Sequence, residues 1–296
     1  MLRNNAYVQL HFSILIFGFT VILGKVINLS EFWLVWYRLG LASLAYLFFI
    51  KPHQFKISKQ DALKLAGAGL LLTLHWITFF GSIKYANASI GAVCLSTSMI
   101  FAALLEPFFY RKRLKWYQIA LGMVVITGIY LIHRFHDVYT LGLIIGLTSA
   151  FLSALWSIVN KRIVAGFNNT VVNFYELGFG WLILTVLSPF VISFEGAFPL
   201  PSLSDWVYLL ILSLICTNFA YNLSINSLRS IPTFNYVLAF NMETIYGIIL
   251  ATLLFSENTH TDTGTIIGVM LVLVSVFAYP FLHRYIEMRE AKRISA

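Results

Sequence analysis

Polar residues in this chain come in short clusters separated by long apolar runs, and the runs are too long for the strands of a water-soluble core. Cutting at the charged or proline-containing clusters leaves ten apolar stretches: 8 to 28, 32 to 50, 64 to 83, 89 to 110, 115 to 133, 140 to 160, 170 to 194, 205 to 226, 232 to 255 and 263 to 283. Each is close to the roughly 20 residues that a helix needs to cross a bilayer. The pattern predicts an all-α integral membrane protein of ten transmembrane helices. The apolar run from Val8 to Ile27 has no small-residue cleavage site, so it reads as a first span and not as a removable signal.

Composition agrees with the pattern. Of 296 residues, 59% are hydrophobic and 11% charged, where a soluble domain carries about 25% charged residues. This argues against a soluble enzyme. The formal charge of +8 would suit a nucleic-acid binder, but its placement gives another explanation. With the N-terminus in the cytoplasm, alternate loops hold 16 Lys and Arg on the inside and 3 on the outside (Lys25, Lys84, Arg134), and Arg38 lies within a span. The positive-inside rule then puts both termini in the cytoplasm and accounts for the basic charge without nucleic acid. The expected location is a membrane, which the chain crosses many times. Cys94 and Cys216 fall inside apolar stretches and imply no disulfide framework.

An even number of spans invites a search for duplication. Ser13, Phe17, Thr20, Gly24 and Lys25 of the first span align with Ser149, Ser153, Trp156, Asn160 and Lys161 of the sixth, every member displaced by 136 positions. The fourth and fifth spans align with the ninth and tenth at a displacement of 146, so that Leu104 meets Leu250, Phe109 meets Phe255 and Gly122 meets Gly268. Residues 1–136 and 137–296 therefore read as two five-helix units. Because five is odd, the second unit enters the membrane from the opposite side, the inverted-repeat arrangement of secondary transporters, whose solute site lies near the midplane between halves.

These features resemble the drug/metabolite transporter superfamily, EamA branch. The likeness rests on the Gly24-Lys25 end of the first span, Arg38 in WYRLGLASL, the run from Leu74 to Ser98 and the run from Asn241 to Glu257. The resemblance implies a ten-helix, five-plus-five inner-membrane protein that exports amino acids or related metabolites, with spans 1, 3, 4, 6, 8 and 9 around the cavity and spans 5 and 10 at the periphery. One departure is visible: Arg111 stands where the family usually has an acidic residue, and Glu106 lies within the span instead.

Ionisable groups at membrane depth are costly unless they face a partner or a water-filled cavity. They are Arg38, His75, Glu106, Glu176 and Glu243. His75 and Glu243 are each the twelfth residue of their spans, in opposite halves, which places both near the bilayer centre. Helical spacing gathers Trp76 and Phe79 with His75, Asn235 with Glu243, and Asn218, Tyr221 and Asn222 on the eighth span; Trp156 shares the repeat stripe. His75, Trp76, Phe79, Trp156, Asn218, Tyr221, Asn222, Asn235 and Glu243 are thus the candidate solute-binding residues, although polar stripes also serve as interhelical hydrogen bonds.

His75, Glu106 and Glu243 are the candidates for proton coupling or gating, whereas a simple facilitator needs none of them. Arg38 is expected in a structural ion pair with a Glu or on backbone carbonyls unless the solute is anionic, and Glu176, near the inner interface, can snorkel. The constellations of metal or nucleophilic catalysis are missing, and His133-x-x-His136-Asp137 is a spacing common by chance, so no catalytic residue, metal or cofactor is expected. An intramembrane enzyme acting on a lipid or isoprenoid is the competing class. No ATP-binding signature appears, so a carrier would run on a gradient. Gly264-x-x-x-Gly268 in the tenth span suggests a homodimer contact through that helix.

Overall fold

A computed structural model describes residues 5–110, 115–135, 140–255 and 263–294. The described residues are helical apart from short connections. In order they are α1 (Ala6–Val26), α2 (Glu31–Tyr46), a 3-10 turn (Pro52–Phe55), α3 (Lys59–Tyr85), α4 (Ala88–Ser96), α5 (Ser98–Tyr110), α6 (Trp116–Phe135), α7 (Thr140–Ile163), α8 (Asn169–Glu195), α9 (Leu203–Leu210), a π-helical stretch (Ile211–Phe219), α10 (Ala220–Ser230), α11 (Thr233–Phe255) and α12 (Thr263–Ile294). The break between α4 and α5 is a single residue, Thr97, and the π stretch carries α9 directly into α10.

Helix starts are set by short polar side chains that accept a backbone N–H left free in the first turn. Asn5 accepts from Tyr7 and Val8, Ser58 from Asp61, Asn87 from Ile90, Asn168 from Val171 and Ser202 from Asp205. α8 ends at Gly196, whose φ of 84° is the left-handed conformation that glycine adopts without a Cβ clash. The second apolar stretch stops being helical at Tyr46, earlier than expected, and α12 runs on to Ile294, well past the end of the apolar stretch at 283. The extension is rich in Glu, Arg, Lys, Met and Ala, which favour helix without needing burial.

Seven of the described helices are long and apolar enough to cross a bilayer, and α6 adds a shorter apolar run, Trp116–Gly128. Their outward faces are apolar: Phe108 is 83% exposed, Phe194 81% and Val186 79%. Buried positions instead hold Ser13, Thr73, Ser149, Asn160, Asn173 and Glu176. Lipid explains the apolar exterior and the polar groups turned inward beside an apolar core, because it accepts apolar surface and offers no hydrogen bonds. The chain is a multi-pass integral membrane protein.

Packing between the two parts of the chain follows a reciprocal scheme. α2 packs on α8 and α6 on α12, while α1 packs on α10 and α11 just as α3 and α4 pack on α7. Small residues permit the closest approaches: a Cβ on Gly69 would lie 2.4 Å from the carbonyl oxygen of Glu176, and one on Gly128 would lie 2.7 Å from the carbonyl oxygen of Gly268. Gly268 is thus engaged within the same chain.

Charged side chains tie the ends of the bundle. At one end Lys84 donates to Ile27 O at 3.1 Å, Asp205 accepts from Asn28 N at 3.0 Å and Glu195 from Trp33 Nε1 at 2.7 Å. At the other, Lys161 donates to the carbonyls of Leu228, Arg229 and Ile231, and Arg229 to Asn169, Val164 and Phe167. Lysine and arginine there satisfy carbonyls that helix ends leave unpaired.

Candidate functional site

One cavity sits among helices drawn from both parts of the chain. On α3, Leu72, His75, Trp76 and Phe79 recur at helical spacing and all line it. α11 contributes Tyr236, Val237, Phe240 and Glu243, α7 contributes Ser153, Trp156 and Ser157, and α10 contributes Tyr221 and Ser224. α1 adds Phe17 and Thr20, α2 adds Arg38, and Leu95 and Ser98 flank the break at Thr97. Phe17 and Thr20 are the residues that the internal alignment matched with Ser153 and Trp156, so the repeat stripe reaches the cavity from both parts of the chain.

The walls are aromatic. Trp156 and Tyr221 have ring centroids 5.8 Å apart, Trp76 meets Tyr221 edge-on at 6.3 Å, and Phe17 and Phe240 are 5.7 Å apart. Arg38 is 2% exposed. Its guanidinium carbon lies 3.6 Å over the Trp76 ring, a cation–π contact, and its Nε donates to Thr217 Oγ1 at 2.7 Å. Arginine has five N–H donors. Among the described residues only the Nε donor has a hydrogen-bond partner, which leaves the others for the cavity.

His75 Nδ1 lies 3.1 Å from the Ser149 carbonyl and 2.8 Å from Ser149 Oγ, whose own hydrogen goes to the His75 carbonyl. A carbonyl only accepts, so these contacts assign the proton to Nδ1, and in the neutral ring Nε2 is then an acceptor. Glu243 is 6% exposed, lines the same cavity, and has no hydrogen-bond partner among the described residues. The cavity therefore combines unused cationic donors, a carboxylate, an imidazole nitrogen and aromatic faces.

Six of the expected solute-binding residues meet here: His75, Trp76, Phe79, Trp156, Tyr221 and Glu243. The other three lie elsewhere. Asn218 Nδ2 donates to Ala42 O at 3.1 Å, binding α2. Asn218 and Asn222 are four positions apart and share a helix face, which turns to α2 and α8 and not to the cavity. Asn222 is one position, about 100°, around the helix from Tyr221, and it accepts from Asn169 at 3.2 Å. Asn235 is half-buried outside the lining, because the face that Glu243 shares on α11 runs through Phe240 and Tyr236, three and seven positions back.

Arg38 has no carboxylate within ion-pair distance among the described residues; in place of the expected ion pair it takes Thr217 and Trp76 and faces the cavity. Glu106 is buried beside Pro107 of α5, away from the cavity lining. Arg111, Lys112, His136 and Asp137 lie outside the described residues. Glu176, read from sequence as able to snorkel, is instead fully buried and accepts from Tyr221, Asn160 and Trp156. Its helical neighbours Asn173 and Gly180 at i−3 and i+4 were the available signal for an inward face.

The chain matches the model of the EamA-like transporter family twice, at residues 5–134 and 140–279. It is 26% identical over 287 residues to a Bacillus subtilis (strain 168) protein named uncharacterized transporter YxxF, covering 92% of this chain and 90% of that one. An Archaeoglobus fulgidus protein named as an uncharacterized transporter is 22% identical over 293 residues, covering 93% and 97% respectively. In fold the chain resembles a protein crystal structure with a TM-score of 0.66 at 13% identity, covering 94% of this chain and 98% of that one.

Proposed function

Because the chain belongs to the EamA-like transporter family, we propose that it is a secondary transporter exporting amino acids or related small amphipathic metabolites across a bacterial inner membrane. The observation that carries this reading is the placement of Arg38 and Glu243 on one aromatic cavity, each with hydrogen-bonding capacity left open among the described residues. Arg38 suits the carboxylate of such a solute, Glu243 and His75 Nε2 suit its ammonium group, and Trp76, Trp156 and Tyr221 suit its side chain.

In this reading ten spans form two inverted five-helix units with both termini in the cytoplasm, α2, α6 and α11 joining the seven long apolar helices. The units rock about the cavity to give alternating access. The reciprocal packing of α1 on α10 and α11, and of α3 and α4 on α7, supports that arrangement. Glu243 exchanges a proton as the ammonium group enters and leaves, which couples export to a gradient.

Counterflow of labelled amino acids and amine metabolites in proteoliposomes tests the assignment. Glu243→Gln is expected to lower exchange of amine-bearing solutes about 100-fold, because a buried charged contact contributes about 3 kcal/mol. His75→Ala is expected to raise the half-saturation concentration about tenfold through loss of one acceptor. If the parent exchanges solutes and both variants match it, the cavity is not the solute site.

A further inference from the structure

Behind one wall of the cavity lies a carboxyl that does not line it. Glu176 on α8 is fully buried, and its Oε2 accepts from Tyr221 OH at 2.6 Å, Asn160 Nδ2 at 3.2 Å and Trp156 Nε1 at 3.4 Å. All three donors are neutral. Its Oε1 is buried with no partner among the described residues. Two of the donors, Trp156 and Tyr221, are themselves cavity walls.

Three donors converging on one oxygen suit an ionised carboxyl, which only accepts. A proton on Oε2 would face those donors, and a proton on Oε1 would find no acceptor. Proton uptake must therefore release part of the arrangement. A second arrangement is within reach: Asn160 Oδ1 is also buried without a partner, and a half-turn of the amide would put that oxygen where Nδ2 now stands, 3.2 Å from Oε2, able to accept.

The titratable and charged groups on the surrounding helices leave this exchange to Glu176. Tyr221 on α10 touches it, Tyr46 on α2 bonds Asn173, and Tyr236 on α11 bonds Ser224. Arg38, His75 and Glu243 line the cavity on the other side of the aromatic wall. Lys161, next to Asn160, and Arg229 on α10 are turned to backbone carbonyls.

We propose that Glu176 is a positioning residue whose proton occupancy sets the cavity wall: ionised, it holds Trp156 and Tyr221 in place, and protonated, it turns to Asn160 and lets that wall repack. The proton is exchanged with water and no other reactant is needed. The inference deepens the transport reading and rests on it for the kinetic part of its test.

Infrared difference spectra of the purified full chain between acid and alkaline buffer provide a part that needs no solute. A carboxylic-acid C=O band is expected in the parent, absent in Glu176→Gln, retained in Glu243→Gln and shifted in Tyr221→Phe, accompanied by a pH-dependent indole N–H band that Glu176→Gln loses. In proteoliposomes of Glu243→Gln, which removes the pH dependence carried by Glu243 itself, acidification is expected to raise the half-saturation concentration of a labelled amino acid about tenfold, and adding Glu176→Gln removes that dependence. A spectrum unchanged in Glu176→Gln, or a band unmoved in Tyr221→Phe, overturns the proposal, as does a kinetic pH profile that Glu176→Gln leaves intact. If no labelled solute exchanges in the parent while the spectral changes occur as described, the transport reading fails and the Glu176 assignment stands.

Discussion

Arg38→Met is expected to reduce amino-acid exchange by at least about 100-fold while leaving the protein folded in detergent. The methionine keeps most of the apolar stem and its packing against Trp76, but it removes the only guanidinium that the described residues place on the cavity. Taking one partner from a buried charged set costs about 3–5 kcal/mol, which corresponds to that loss or more. Arg38→Lys should recover little of it. An ammonium cannot lie as a flat cation over the Trp76 ring while donating to Thr217 and still present a fork of donors to a solute carboxylate.

The comparison that separates solute contact from structure uses amines with and without a carboxylate. If Arg38 holds the carboxylate, Arg38→Met penalises the amino acid far more than its decarboxylated amine. Equal penalties for the two solutes would mean that Arg38 supports the wall and not the solute.

Gly69→Val is expected to have the largest effect on stability. The Cβ of any residue at this position would lie 2.4 Å from the Glu176 carbonyl oxygen, and across the same contact a Cβ on Gly180 would lie 2.2 Å from Thr73 Oγ1. Thr73 Oγ1 is fixed by its own bond to Gly69 O at 2.7 Å. The Gly69 clash is with backbone, so no side-chain rotation relieves it and α3 must move away from α8. Overpacking of this kind costs about 3 kcal/mol, or about a 10 °C fall in the thermal midpoint in detergent.

Gly67→Ala is the control, because nothing lies within 4 Å of a Cβ there. It should leave the midpoint unchanged. A Gly69 variant that melts with the parent would show that α3 and α8 are not held at this distance.

Sequence alone determined the elements, because lipid imposes one strong rule on any span: about 20 apolar residues with the backbone satisfied internally. The apolar stretches accordingly match the helices to within a few residues at most ends, with α2 ending early and α3 and α12 overrunning. Sequence also placed His75, Trp76, Phe79, Trp156, Tyr221 and Glu243 on one cavity, since helical spacing holds along uninterrupted helices.

What only the tertiary structure decided was which face of each helix turns inward and what each polar group meets there. Asn218 and Asn222 turn to α2 and α8 while Tyr221 turns to the cavity, a choice between neighbouring faces of one helix that residue spacing does not encode. Glu243 shares its face with Tyr236 and Phe240 instead of Asn235, because α11 presents its aromatic stripe to α1. Arg38 and Glu176 each departed from the role expected of them for the same reason. A charge in a span must find a partner or a cavity, and whether Thr217, Trp76, Tyr221 or Asn160 stands opposite depends on helices that are distant in sequence and meet only in the folded bundle.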